Sequence, residues 1–285
     1  MRQLYMRSAF LHGDLTVAVF MVQPPGFIHP NYPNHVCKLR KAICGLKQAP
    51  RAWFSKLSSK LLELGFVASH ADSSLFTYIC ASLRIYFLVY VNDIVITGSN
   101  PSAIISLIAT LRLSFPMKDL GQLHYFLGVE VHHSNSGILL SQHKYIEDLL
   151  KKTNMHSSKP LSTLMATTGS LTALDGALFE YPTLYRSVVG SLQYLSFTRS
   201  DLAFAVNRVC QYKQTPRVPH WQAVKRILLY LRHTVHFGLQ FSRSSSSVLV
   251  AYSDADWAGS PDDLRSTGCL CIFYGSHLIS WSSRK

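Results

Sequence analysis

The run Arg84-Ile-Tyr-Phe-Leu-Val-Tyr-Val-Asn-Asp-Ile-Val-Ile-Thr-Gly98 constrains the fold more than any other stretch of the chain. Its β-branched and aromatic residues form two strand-length runs that meet at Asn92-Asp93, so it reads as an antiparallel hairpin with a polar tip. A short strand is expected before it, at Leu75 to Tyr78. Helical spacing lies on either side. Leu39, Ile43 and Leu46 predict a short helix, and Trp53, Leu57, Leu61 and Leu62 predict a longer one from about Arg51 after the interruption at Pro50. Ile104, Ile105, Leu107, Ile108 and Leu111 predict a helix over 101–114, and residues 122–131 and 137–141 read as a second hairpin across Ser134-Asn-Ser-Gly137. This alternation of helices with antiparallel hairpins implies an α+β fold.

From Gln142 onward helices dominate, over 142–153, 182–197, 199–213 and 219–235. In the last of these Trp221, Val224, Ile227, Leu228 and Leu231 share one face, which leaves Lys225, Arg226 and Arg232 free for phosphate. Ser242-Arg-Ser-Ser-Ser-Ser247 reads as a linker, and Val248 to Ser253, Cys269 to Tyr274 and His277 to Trp281 as three strands. Three strands in about 40 residues are too few to bury a core alone.

With 48% hydrophobic and 15% charged residues in 285, the chain can bury one or two ordinary cores, which excludes disorder as the main state. No stretch approaches the ~20 apolar residues of a membrane span, and the start lacks the apolar core of a signal peptide, so a soluble intracellular protein is expected. The six cysteines and thirteen histidines are scattered and lack metal-site spacing. The charge is more informative. A formal +13 favours polyanions, nucleic acid first and anionic membrane second. Residues 1–50, 51–150, 151–250 and 251–285 carry +5, 0, +9 and −1. This pattern fits basic parts that grip a phosphate backbone, although a generally basic surface gives the same total.

Two carboxylate groupings could carry chemistry. Asn92-Asp93 would project a carboxylate from a rigid hairpin, but as a common turn pair in its own right it reads first as structural. Asp254 and Asp256, two apart at a strand end, share a face suited to a divalent cation, although such a pair is more often merely exposed.

Gly45-Leu-Lys-Gln-Ala-Pro-Arg-Ala-Trp53, Tyr90-Val-Asn-Asp-Ile-Val-Ile-Thr-Gly98, Met117-Lys-Asp-Leu-Gly121, Tyr125-Phe-Leu-Gly-Val-Glu-Val131, Tyr185-Arg-Ser-Val-Val-Gly190, Tyr252-Ser-Asp-Ala-Asp-Trp-Ala-Gly259 and Leu278-Ile-Ser-Trp-Ser-Ser283 occur in this order. Together they resemble the reverse transcriptase and ribonuclease H region of copia-type long-terminal-repeat retrotransposon polyproteins. The resemblance implies a right-hand polymerase: fingers and palm over 1–141, a helical thumb over 142–241, and a truncated ribonuclease H-like β-meander over 248–285. It also implies RNA template, RNA–DNA hybrid and deoxynucleotides as partners, no membrane, and nucleotidyl transfer with two Mg²⁺ ions.

Such a family holds its ions with three carboxylates, and here the chain departs from it. The first position is Tyr5, the second is Asn92, and only Asp93 remains. Two adjacent divalent cations need that charge to be held, so Mg²⁺ binding is expected to be impaired. By the same resemblance Phe10, Lys47, Gln48 and Lys118 would flank the incoming nucleotide, and Phe126, Leu127 and Gly128 would position the primer end. Core packing for Phe10 and Phe126, and solvated surface for the lysines, are the plain alternatives. Asp254 would be the first carboxylate of a ribonuclease H site whose other acids lie past Lys285, so RNA cleavage is expected to be absent. Three readings follow: a polymerase, a basic scaffold that holds nucleic acid without chemistry, and a remnant with no stable product. On the last reading an open sheet edge favours aggregation, and cutting near Ser247 should improve solubility.

Overall fold

The computed structural model describes residues 1–166, 171–243 and 246–285 and divides them into two compact units, Met1–Leu123 and His124–Lys285. In the first unit the β-rich run becomes β6 (Leu83–Tyr90) and β7 (Asp93–Gly98) of a six-stranded sheet. Its order is β4 (Val67–Ala68), β5 (Leu75–Cys80), β6, β7, β1 (Arg2–Met6) and β8 (Met117–Gln122). Two helices, α1 (Ala49–Glu63) and α2 (Pro101–Ser114), cover one face. Pro101 fits the first turn of α2, and the Asn100 side chain accepts hydrogen bonds from the Ser102 and Ala103 N–H groups at 2.9 and 3.3 Å, a cap that stabilises such a helix by about 1 kcal/mol. Leu4 and Met6 of β1, Phe76, Phe87, Ile94 and Ile96 bury against Trp53, Leu57, Leu61, Ile104 and Leu111. Each such aliphatic side chain contributes about 1.5–3 kcal/mol by leaving water.

A separate two-stranded ribbon, β2 (Phe20–Val22) with β3 (Val36–Lys38), belongs to the same unit. The short helix expected around Leu39 to Leu46 does not form. Gly45 takes φ +97°, and extended pairing of Asp14 with Lys41 and of the Ala42 N–H with the Gly13 carbonyl (3.1 Å) claims that backbone instead.

In the second unit the expected strand over 122–131 is broken. β9 (Tyr125–Phe126) and β10 (Val129–Ser134) meet at a tight turn, and β10 continues across Asn135-Ser136 into β11 (Gly137–Ser141). The helices are α3 (His143–Lys152), α4 (Pro182–Leu195), α5 (Ala203–Cys210) and α6 (Val218–His233). They bury Ile146, Val188, Leu192, Val206, Ile227 and Leu231 in a second core. The helix expected over 199–213 is shorter: a 3-10 turn, Ser200–Leu202, precedes it, it ends at Cys210, and Arg199 is taken inside. Its guanidinium is almost fully buried and bonds the Asp201 carboxylate and both the carbonyl and hydroxyl of Thr234.

Sequence periodicity did not reveal β12 (Gly238–Ser242), which pairs along all of β11. The residue-141 boundary expected from the resemblance therefore falls within this unit. β13 (Leu249–Ala255), β14 (Gly268–Tyr274) and β15 (His277–Arg284) form a meander. It does not stand apart: β15 packs on α5, and Asp262 accepts hydrogen bonds from the Ala173 N–H (2.8 Å) and the Tyr212 hydroxyl (3.3 Å). All strand pairings among the described residues are antiparallel, so the chain is α+β. No helix among them is long and apolar enough to cross a membrane.

Candidate functional site

Side chains alternate along a strand, so burial of Leu4 and Met6 turns Tyr5 to the other face of β1. Because β1 lies between β7 and β8, Tyr5 stands opposite Asp93 on one side and Lys118 on the other. Asp93, Tyr5 and Lys118 thus form a row across three strands on the face away from the helices. The polar tip lies one residue earlier than the sequence implied. Tyr90 and Asp93 are the last pair, so Val91 and Asn92 make the turn and Asp93 is already strand.

Val91 adopts φ +54°, a region a β-branched residue rarely enters and one that costs about 1–3 kcal/mol. Two bonds hold it there. The buried Trp53 indole N–H donates to the Val91 carbonyl at 2.8 Å, and the Met6 N–H donates to the Asn92 carbonyl at 2.7 Å. Phe10, in a short 3-10 turn over Ala9–His12, packs against the first core. With Pro50, Trp53, Val89 and Val91 it also lines a cavity of about 240 Å³ beside the hairpin tip.

Asp93 carries the one carboxylate of the row. Burial pushes its pKa above the ordinary aspartate value, and no cation or hydrogen-bond donor among the described residues offsets this. Hard divalent ions need several anionic oxygens, and the flanking groups here are a phenol, a carboxamide and an ammonium. No group of three or more His, Cys, Asp or Glu residues among those described could hold a metal ion. These residues do not fit a pair of Mg²⁺ ions. Nearby acids are committed elsewhere. Asp14 is hydrogen-bonded by Lys41 (2.6 Å) and Lys56 (2.7 Å), which hold its carboxyl down to about 2, and Asp119 pairs with Arg2 at 2.7 Å.

Lys47 and Gln48 are exposed just before α1, and Lys118 is exposed on β8. The remaining candidates lie in the second unit. Leu127 (φ +47°) and Gly128 (φ +75°) form the β9–β10 turn, and the Tyr194 hydroxyl donates to the Leu127 carbonyl. A Cβ at Gly128 would come 2.8 Å from that hydroxyl oxygen, so any larger residue there has to displace the Tyr194 ring end as well as bear the strain of φ +75°. Phe126 is half-buried, and Asp254 is exposed on β13 opposite Cys269. Asp256, just past the end of β13, caps its own loop by accepting the Thr267 N–H at 2.8 Å.

The basic residues of α6 are not all free as expected. Arg226 bonds the Thr163 hydroxyl and Arg232 the Ser158 carbonyl, tying down the segment before the helix α4. Trp53 and Tyr194, which clamp the two turns, were missed as functional positions. Their only sequence signal is that Trp53 closes the Gly45–Trp53 string.

Residues 1–167 match the family of reverse transcriptases, the RNA-dependent DNA polymerases, and the chain belongs to that family. It is 50% identical over 284 residues to the Retrovirus-related Pol polyprotein from transposon RE1 of Arabidopsis thaliana, covering 100% of this chain and 19% of the relative. It is 39% identical over 295 residues to the corresponding polyprotein from transposon TNT 1-94 of Nicotiana tabacum, covering 99% of this chain and 22% of the relative. An uncharacterized mitochondrial protein of Arabidopsis thaliana is 40% identical over 200 residues, covering 70% of this chain and 83% of the relative. The chain thus spans about a fifth of the polyproteins, and it is a reverse transcriptase domain of the copia type.

Proposed function

We propose that this chain is the polymerase part of a copia-type Pol polyprotein that retains a scaffold for RNA template, RNA–DNA hybrid and deoxynucleotides but has lost metal-dependent nucleotidyl transfer. On this reading residues 1–141 supply fingers and palm, 142–241 the thumb, and 248–285 ribonuclease H-like strands. Phe10, Lys47, Gln48 and Lys118 flank the nucleotide, and Phe126, Leu127 and Gly128 support the primer end. The observation that carries the loss is the pairing of Tyr5 with Asp93, which puts a phenol where a second carboxylate would have to stand. With Asn92 at the turn, a single carboxylate is left to hold two divalent ions.

Primer extension tests this. The wild-type chain is expected to add no deoxynucleotides to a DNA primer on an RNA template with Mg²⁺, while the double variant Tyr5→Asp with Asn92→Asp gains extension. Incorporation by the wild type that Asp93→Ala abolishes overturns the reading.

A further inference from the structure

Two arginines of the second unit are left short of partners. Arg208 lies on α5 with 8% of its surface exposed, and it makes no hydrogen bond or ion pair among the described residues. Arg199 shows what the same unit does with a buried guanidinium elsewhere, meeting it with a carboxylate, a carbonyl and a hydroxyl. On α6 a terminal nitrogen of Arg226 donates to the Thr163 hydroxyl, but its Nε is enclosed and has no partner. A guanidinium stays protonated even when buried, so a missing acceptor is a cost the fold carries.

Both arginines line one cavity of about 520 Å³. Helical spacing brings them there. Ala205 and Arg208 are three apart on α5, and Ala223 and Arg226 are three apart on α6, so each helix turns one small residue and one arginine to the same side. The alanines leave the room that the arginines border, and Leu164 and Met165, from the segment before α4, add apolar wall. Sites for small organic ligands enclose roughly 300–1,000 Å³ and combine apolar walls with a few placed polar groups, as this cavity does. Asp175 also lines it, but it is exposed and forms no ion pair with either arginine, and Lys225 keeps the net charge of the lining positive.

Charge and polarity together select the ligand. A guanidinium presents its donors as a planar fork that matches the two oxygens of a carboxylate. Apolar walls require the rest of the ligand to be hydrocarbon or an aromatic ring, because a sugar or a polyphosphate would leave polar atoms unpaired against them.

We propose that the cavity between α5 and α6 binds a small organic carboxylate with an apolar body, its carboxylate held by Arg208 and by the Nε of Arg226. None of the lining residues is among those assigned to the nucleotide or the primer end, so the proposal goes beyond the polymerase reading and does not depend on it.

The test titrates the full chain by calorimetry with 2-naphthoate, the neutral 2-naphthamide and acetate. Naphthoate is expected to bind at one site per chain. Naphthamide, which lacks the charge, and acetate, which lacks the body, are expected to bind about tenfold or more weakly. Arg208→Met keeps the apolar stem and removes the fork, so it is expected to lose about tenfold or more in naphthoate affinity without weakening naphthamide. Because that variant also removes an unpaired buried charge, its unfolding midpoint without ligand is expected to equal or exceed that of the wild type, which shows in addition that it folds. Ala223→Leu, which fills part of the cavity, is expected to weaken both aromatic ligands. Lys144→Gln, exposed on α3 and outside the cavity, removes the same charge and is expected to change neither.

Failure of naphthoate to bind overturns the proposal, as does Arg208→Met binding it as tightly as the wild type. Equal affinity of the wild type for naphthoate and naphthamide overturns it in favour of a purely apolar cavity. An Arg208→Met midpoint well below the wild type overturns the premise that the guanidinium lacks a partner. Displacement of naphthoate by a short single-stranded oligodeoxynucleotide overturns it in favour of a phosphate backbone as the occupant.

Discussion

Tyr5 faces outward for a reason visible in three letters of sequence: Leu4 and Met6 flank it and take the inward positions of β1. That placement was legible once the segment was read as a strand. The clamp on the hairpin tip was not, because the Trp53 indole N–H and the Val91 carbonyl are 38 residues apart and no local pattern couples them. Trp53→Phe keeps the buried ring and removes only the donor, leaving the strained Val91 turn with one hydrogen bond fewer. It is expected to lower the unfolding free energy by about 1 kcal/mol in urea titrations, and an unchanged midpoint would show that the turn holds without its clamp.

Elements with strong periodicity, such as α2 and α6, could be located from spacing alone, since an apolar stripe at 3.6 residues has one physical interpretation. β12 is different. It is five residues long, begins at a glycine, and pairs with β11 across the whole intervening helical segment, so nothing local marks it. The start of α6 also depends on a contact distant in sequence. His220 is fully buried; its Nδ1 accepts the Arg217 N–H at 2.9 Å, and its Nε2–H donates to the Thr172 carbonyl at 2.9 Å, with the ring stacked on Tyr212. An imidazolium would aim an N–H at the Arg217 N–H. Burial lowers the pKa of His220 below the ordinary histidine value of 6.5, with Arg217 adding repulsion, and outweighs the opposing pulls of the hydrogen bond to the Thr172 carbonyl and of Asp262 and Asp175. A depressed histidine pKa means the unfolded chain binds the proton first, so stability is whole above about pH 6.5 and falls as pH drops below it. Denaturation curves at pH 7.5 and 5.5 should show that loss, and His220→Gln should flatten it. A wild type equally stable at both values would refute the assignment.

At the scale of the molecule, the charge total was legible and its allocation was not. The +9 over residues 151–250 marks that stretch as a gripping surface, yet Arg199 and Arg208 are buried and Arg226 and Arg232 tie down their own unit. Uncommitted cations of the ribbon, within a smaller +5, face open solvent. Composition counts charges, and only packing says which of them remain available to a ligand. The three final strands likewise looked detachable. With β15 against α5 and Asp262 holding the 171–173 backbone, a chain ending at Ser247 is expected to be less soluble than the full chain. Expression of both with a count of the soluble fraction tests this, and a more soluble short form would contradict the packing. The pairing of β11 with β12 also sets an order of events on the ribosome. Residues 1–123 can close their sheet as soon as β8 emerges, but β11 then waits with one edge unpaired until the four helices that follow have been synthesised, and through that interval the nascent chain exposes a row of free backbone groups that a chaperone has reason to cover.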